Sequence, residues 1–395
     1  MGTKNTTLLV IVICSIVGAI LYLQNQLPAR ISGNSVAIVP FGVSVATSTS
    51  DVSKTLPDLS TVASLRQAEK SKKYPLAKEI VSPTGFINTD LDATGKPLAL
   101  TIQSLIGKKV ILLDIWTYSC INCQRTLPYL KSWYDKYKDQ GLEIIGLHVP
   151  EFEFEKDYAN VSAAVKKFGI TYPVVLDSNA STARAYGMQY WPEEYLIDID
   201  GFIVHKSIGE GGYEEKENKI VELLNERMKV FGLSGQVKTS VTKIDELVSP
   251  RPESPETYFG SDRNQYLSNG VAGKSGVQSF SLPKTATINA LYLGGDWDVQ
   301  PEFAENKKAG ATIEFRYKAQ EVYFVASSLQ GAQIKIYQDG VLVTDARGED
   351  VAADSTAQIK EDRLYKLIKN KTVEEHTLKI EMESSGLDAY TFTFG

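Results

Sequence analysis

VILLDIWTYSCINCQRTLPYL, residues 110–130, is the stretch on which the fold turns. Its opening VILLDI is an apolar run broken only by Asp114, the pattern of a central strand buried on both faces. From residue 125 to 138 the apolar and aromatic positions are Leu127, Leu130, Trp133, Tyr134 and Tyr137, which is helical spacing. Cys120 and Cys123 stand between strand and helix. A cysteine nucleophile acts as a thiolate, and a helix N-terminus with a second thiol one turn away favours that form. The spacing therefore predicts a redox pair. Cys120 faces the positive end of a helix starting near Cys123, and Cys123 is placed to attack a mixed disulfide. A carboxylate inside LLDIW needs a reason, because burying one unpaired is costly. Asp114 is therefore expected to serve the chemistry, the bland alternative being a strand-edge aspartate.

Outward from this stretch, LEIIGL (142–147) reads as a second buried strand, 161–168 as a helix and 172–176 as a strand. Residues 194–199 and 202–208 read as a strand pair turned by Asp200-Gly201, and 214–228 as a closing helix. The alternation implies a mostly parallel sheet with helices on both faces, ending in a hairpin, over residues 78–232. A polar linker with Pro250, Pro252 and Pro255 fills 233–255. From 256 to 395 short alternating runs such as 311–315, 321–325 and 332–337 are punctuated by turns, Asp339-Gly340 among them, the pattern of an all-β sandwich of jelly-roll type. Trp297 in GGDWDVQ reads as a core aromatic, the alternative being a platform for stacking a sugar or partner.

Residues 6–23 (TTLLVIVICSIVGAILYL) carry no charge, and 18 helical residues at about 1.5 Å each reach roughly 27 Å, close to a bilayer's apolar thickness. No small-x-small cleavage site follows, so residues 1–25 are expected to be a single-pass anchor in the cytoplasmic membrane. Lys4 precedes the span and no basic residue follows until Arg30, which puts the N-terminus inside and the main domains outside. Residues 26–77, with a Ser/Thr tract at 44–55, read as a flexible tether, with a short helix at 63–73.

The chain has 395 residues, a net charge of −6 and no clustered Lys and Arg, which argues against nucleic acid as a partner. Its three cysteines, at 14, 120 and 123, are too few for a disulfide scaffold, so the adjacent pair is expected to react. A zinc site is disfavoured because His148, His205 and His376 show no ligand spacing; neither metal nor cofactor is expected. The T-x-x-C spacing at Thr117 to Cys120 resembles a peroxiredoxin, whose upstream proline would fall at Leu113. A further alternative is a glycan- or partner-binding protein with a vestigial redox domain.

WTYSCINCQRTLPYL, PEFEFEK (150–156), the YWPEEYLID run (190–198) and GEGGY (209–213) together resemble the DipZ-type branch of the TlpA-like thioredoxin superfamily. The likeness covers about residues 79–230, and LDAYTFTFG (387–395) resembles the β domain that follows the redoxin there. The resemblance implies a thiol–disulfide oxidoreductase that reduces disulfide-containing proteins and is re-reduced by a CcdA-like membrane carrier. The larger family members resemble CcdA in a multi-span domain of their own, where this chain has one expected span. It further implies that Asp114 moves a proton to and from Cys123, that Pro128 bends the redox helix, and that Pro192 is a cis-proline facing the cysteines. Pro173 in ITYPVV falls one strand too early for that part. Trp116, Trp191 and Glu151 are the expected substrate contacts. The β domain resembles carbohydrate-binding modules, which makes a glycan or protein its expected ligand.

Overall fold

The computed structural model describes residues 59–238, 241–244 and 251–395. The expected membrane span at 6–23 lies outside them, and among the described residues no helix is long and apolar enough to cross a membrane. The flexible tether assigned to 26–77 is corrected from residue 59 onward, where a helix runs Leu59–Lys70 and is docked by its charges. Arg66 and Lys70, one helical turn apart, share a face. The Arg66 guanidinium donates twice to Asp200 at 2.6 Å. The Lys70 ammonium lies 2.6 Å from Asp198, 3.0 Å from Asp200 and 2.5 Å from Glu226. Three carboxylates that would repel one another are thus neutralised by one helix.

The redox domain is a six-stranded sheet ordered β1-β4-β3-β2-β5-β6. Its strands are β1 (Gly85–Ile87), β2 (Val110–Trp116), β3 (Leu142–His148), β4 (Val174–Leu176), β5 (Glu193–Ile197) and β6 (Ile203–Ile208). The β2–β3 and β3–β4 ladders are parallel, while β1–β4, β2–β5 and β5–β6 are antiparallel, so the sheet is mixed where a mostly parallel one was expected. All seven residues of β2 are buried. Side chains alternate along a strand, so Ile111, Leu113 and Ile115 enter one core and Val110, Leu112 and Trp116 the other. Asp114 shares the second face, the one covered by the helices Ile121–Tyr137 and Tyr213–Val230. Opposite Asp114 on β3 is Gly146, where an added Cβ would meet the Trp116 indole nitrogen at 2.9 Å.

The polar linker expected at 233–255 is anchored at both ends. Val237 is buried and exchanges bonds with Asn225, and the Thr242 amide donates to Glu217 at 2.6 Å. At the far end the Ser254 hydroxyl donates to Asn289 at 2.7 Å.

Residues 257–394 add β7 (Thr257–Tyr258), β8 (Gly276–Phe280), β9 (Leu291–Val299), β10 (Ala304–Asn306), β11 (Thr312–Ser327), β12 (Ala332–Gln338), β13 (Val341–Leu342), β14 (Thr356–Ile359), β15 (Arg363–Met382) and β16 (Asp388–Phe394). In place of two separate sheets, one hydrogen-bonded sheet folds over its own core. The first residues of β11 pair with β9 and its last with β16, with irregular register between Ala319 and Tyr323, so one long strand serves both layers. Trp297, Phe315, Phe324 and Phe392 fill the interior.

A fourth cluster joins the two domains. Ile121 and Phe152 pack with Tyr323, Val325, Leu364 and Tyr390. Tyr390 meets Phe154 edge-on at 4.8 Å and Phe152 at 5.1 Å.

Candidate active site

Cys120 ends the loop after β2 and is itself the N-cap of a helix that begins at Ile121, two residues before the expected start. Its sulfur accepts the Cys123 amide at 3.3 Å, and the Cys120 thiol approaches the Trp191 carbonyl at 3.8 Å. A thiolate at this point meets the unpaired amides and partial positive charge of the helix end. Cys120 is partly exposed, whereas Cys123 is 1% exposed. Burial, then the contact with Cys120 and the charge of Asp114, push the Cys123 thiol well above the ordinary cysteine range. Both cysteines are free thiols.

The loop is held by a residue the sequence reading passed over. Glu155, fully buried, accepts the Ser119 amide at 3.2 Å and hydroxyl at 2.7 Å with one oxygen, and the amides of Glu151 and Phe152 with the other. Burial raises its carboxyl despite these bonds. His148 lies beneath, stacked on Tyr118 at 5.6 Å, and burial lowers its imidazole to about 3.

Asp114 is 1% exposed and its Oδ1 has no hydrogen-bond partner. Its cross-strand neighbour on β5 is Glu194, equally sealed, whose Oε1 also lacks one. Lys216, on the helix Tyr213–Val230, forms a buried ion pair with Glu194, and Ser207 donates to the same carboxylate at 2.9 Å. Burial, then Glu194, push the Asp114 carboxyl well up, against the pull of Lys216. Paired glutamates in PEEYLID were the available signal for Glu194. Lys216 gave none, because EEKENK looks like any solvated helix face.

Pro192 follows the cis bond Trp191-Pro192, and its carbonyl accepts the Gly209 amide at 2.8 Å. Pro173 sits at the start of β4 and accepts the Gly146 amide. Trp191 is half-buried, with its indole donating to the Val149 carbonyl at 3.0 Å. Trp116 is corrected as a substrate contact: it is 0% exposed, packed edge-on against His148 at 5.3 Å, so no substrate touches it. Trp297 is equally buried and its indole donates to Gly294, which removes it as a stacking platform. Pro128 lies inside the redox helix, where it has no amide to offer the Gln124 carbonyl.

Cys120 opens into a cavity of about 640 Å³ lined by both domains. Glu151 stands on its wall and accepts from Tyr258 and Arg263, each at 2.7 Å, so this expected substrate contact is already tied to the β domain. Glu256 is open to cleft water yet ringed by protein; that enclosure, then Glu151, raises its carboxyl to about 7. Arg125, two residues past Cys123, pairs twice with Glu210 at 2.8 Å.

A partly exposed cysteine at a helix N-cap, a buried partner one turn on and a buried acid beneath define a thioredoxin-like redox domain, here joined to a β-rich domain. Residues 53–224 match the Redoxin family and 254–395 the family described as thioredoxin like C-terminal domain. Protein DipZ of Mycobacterium tuberculosis (strain CDC 1551 / Oshkosh) is 34% identical over 319 residues, which is 81% of this chain and 43% of DipZ. Thiol-disulfide oxidoreductase ResA of Bacillus thuringiensis (strain Al Hakam) is 34% identical over 152 residues, 38% of this chain and 80% of ResA. A putative thiol:disulfide interchange protein DsbE from Chlorobium tepidum superposes with a TM-score of 0.32 at 21% identity, covering 38% of this chain and 97% of its own. The chain belongs to the thioredoxin-like thiol–disulfide oxidoreductases of DipZ and ResA type. It spans less than half the length of the DipZ proteins.

Proposed function

We propose that this chain is a membrane-anchored, extracytoplasmic thiol–disulfide oxidoreductase that works as a reductase. The observation that carries the reading is the asymmetry of the pair, with Cys120 half-open at a helix N-cap and Cys123 sealed behind it. Cys120 thiolate attacks one sulfur of a substrate disulfide; that bond breaks, and the leaving sulfur departs and takes up a proton. Cys123, giving its proton to the Asp114 carboxylate, attacks Cys120 and expels the second substrate sulfur. Two electrons have then passed to the substrate, and Cys120–Cys123 is a disulfide. A CcdA-like membrane dithiol returns the two electrons. The uncharged run at 6–23 supports the anchor and the extracytoplasmic setting. The Trp191 carbonyl, 3.8 Å from the Cys120 sulfur, supports docking of a substrate backbone there.

The test is trapping. Cys123→Ser should accumulate mixed disulfides through Cys120, and Cys120→Ser should trap nothing. Equal trapping by both variants would sink the assignment.

A further inference from the structure

We propose that Glu155 is a positioning residue for Cys120: a fixed, buried negative charge, bonded to the residue before the nucleophile, that restrains the Cys120 thiolate and keeps the pair reducing. The proposal rests on the oxidoreductase reading above and adds what tunes the same site.

The charge state of Glu155 follows from its partners. It is 0% exposed. One oxygen accepts the Ser119 amide at 3.2 Å and hydroxyl at 2.7 Å, and the other accepts the amides of Glu151 at 2.7 Å and Phe152 at 3.1 Å. An ionised carboxyl accepts and does not donate, and four donated bonds suit that form. Among the described residues no Lys, Arg or His bonds it. The charged group facing it is Glu151, of like sign, and Thr117 and Ser119 present hydroxyls. His148, 3.4 Å from the Thr117 hydroxyl, is neutral. The charges that share the Cys120 cavity are paired, Arg125 with Glu210 and Arg263 with Glu151, beside Glu256 and Arg251.

This charge has no room to retreat. Glu155 lies in the short helical turn Glu153–Lys156, and the β domain pins that segment from outside. Glu151 accepts from Tyr258 and Arg263, the Glu153 amide donates to Glu302 at 2.8 Å, and Tyr390 packs on Phe152 and Phe154. Two effects of opposite sign then meet at Cys120. The helix end favours a thiolate, and the carboxylate behind Ser119 repels it, in a setting where water does little to screen the repulsion. A strong oxidant is a pair whose reduced form is stabilised. Withholding that stabilisation makes the dithiol a better electron donor.

The full chain and its Glu155→Gln and Ser119→Ala variants are compared by the pH profile of Cys120 alkylation and by equilibrium with glutathione. In the latter, the dithiol and oxidised glutathione become the Cys120–Cys123 disulfide and two glutathione thiols. Glu155→Gln removes the charge and should raise the acid constant of Cys120 about tenfold. Above both midpoints the glutathione equilibrium should move by the same factor toward the dithiol, about 30 mV for a two-electron couple. Ser119→Ala breaks one bond, keeps the charge and should leave the acid constant within about twofold. In the unaltered chain, the carboxyl carbon signal of Glu155 should be that of an ionised group from pH 5 to 8, with a small step at the Cys120 midpoint that Cys120→Ser removes. That readout stands even if neither variant folds. An unmoved midpoint in Glu155→Gln, equal shifts in both variants, a protonated Glu155 or a missing step would overturn the proposal. A parent chain that exchanges no disulfide with glutathione would instead overturn the oxidoreductase reading, and this proposal with it.

Discussion

Asp114 and Glu194 are Cα partners across the antiparallel β2–β5 ladder, both sealed from water, and the Lys216 ammonium pairs with Glu194. One positive charge offsets only one of them. Asp114, which lacks the direct pairing, is the one whose affinity for a proton burial and Glu194 raise, and its charged form in turn raises the Cys123 thiol.

Asp114→Asn should therefore stabilise the fold at neutral pH. An unfolded aspartate gives up its proton near pH 3.9, while burial and Glu194 hold the folded Asp114 well above that. The contribution of Asp114 to stability is full below about pH 3.9 and is lost as pH rises through its folded value. Urea unfolding at pH 5 and pH 8 should show the variant gaining on the order of 1 kcal/mol at pH 8 relative to pH 5. Parallel pH slopes for variant and parent would contradict this. Resolution of the mixed disulfide should also slow, since the residual amide takes no proton.

Lys216→Met removes the ammonium and leaves two buried carboxylates facing each other. The expected cost at pH 8 is about 3–5 kcal/mol, the usual price of an orphaned buried charge. It should shrink in acid as the carboxyls protonate. A loss independent of pH, measured by the same unfolding experiment, would mean that Lys216 acts by packing on Tyr213 and Trp133 alone.

Much of this was legible in the sequence, because VILLDI, the Cys-x-x-Cys loop and the helical spacing after it are local signals. Where reading fell short, the cause was tertiary. The helix starts at Ile121 because the Cys120 sulfur caps it, a bond no periodicity reports. Trp116 looked available to substrate, yet strand alternation buries it beneath His148. Lys216 and Glu155 are charges whose partners lie 22 and 36 residues away, so their burial could not be foreseen. The closing of the cleft by Tyr258, Arg263 and Tyr390 depends on how two domains pack, which neither domain's pattern contains.

His148 should stay neutral far into acid. Burial lowers its imidazole to about 3, whereas the unfolded chain protonates near 6.5. Its contribution to stability is full above about pH 6.5 and diminishes as pH falls toward 3. The His148 ring proton shift, followed by NMR from pH 5 to 8, should be flat. A midpoint between 6 and 7 would show an open, hydrated ring.

Tyr390→Ala tests the seam between the domains. The ring meets Phe152, Phe154 and Phe303, and truncating a buried aromatic costs about 3–5 kcal/mol. Calorimetry should show the β domain melting apart from the redox domain, and alkylation of Cys120 should accelerate as Ile121 is uncovered. One unchanged transition with an unchanged alkylation rate would show that the seam does not shield the site.

The central claim, that Cys120 and Cys123 form an exchanging two-electron couple, is tested most directly by equilibrating the full chain in glutathione buffers of graded potential and counting free thiols. The expected result is a single two-electron transition between about −270 and −120 mV, the range of exchanging pairs in this superfamily, abolished by substituting either cysteine. A midpoint below about −300 mV would mark a fixed structural bond, and absence of any transition would leave the pair without redox function; either result would contradict the account.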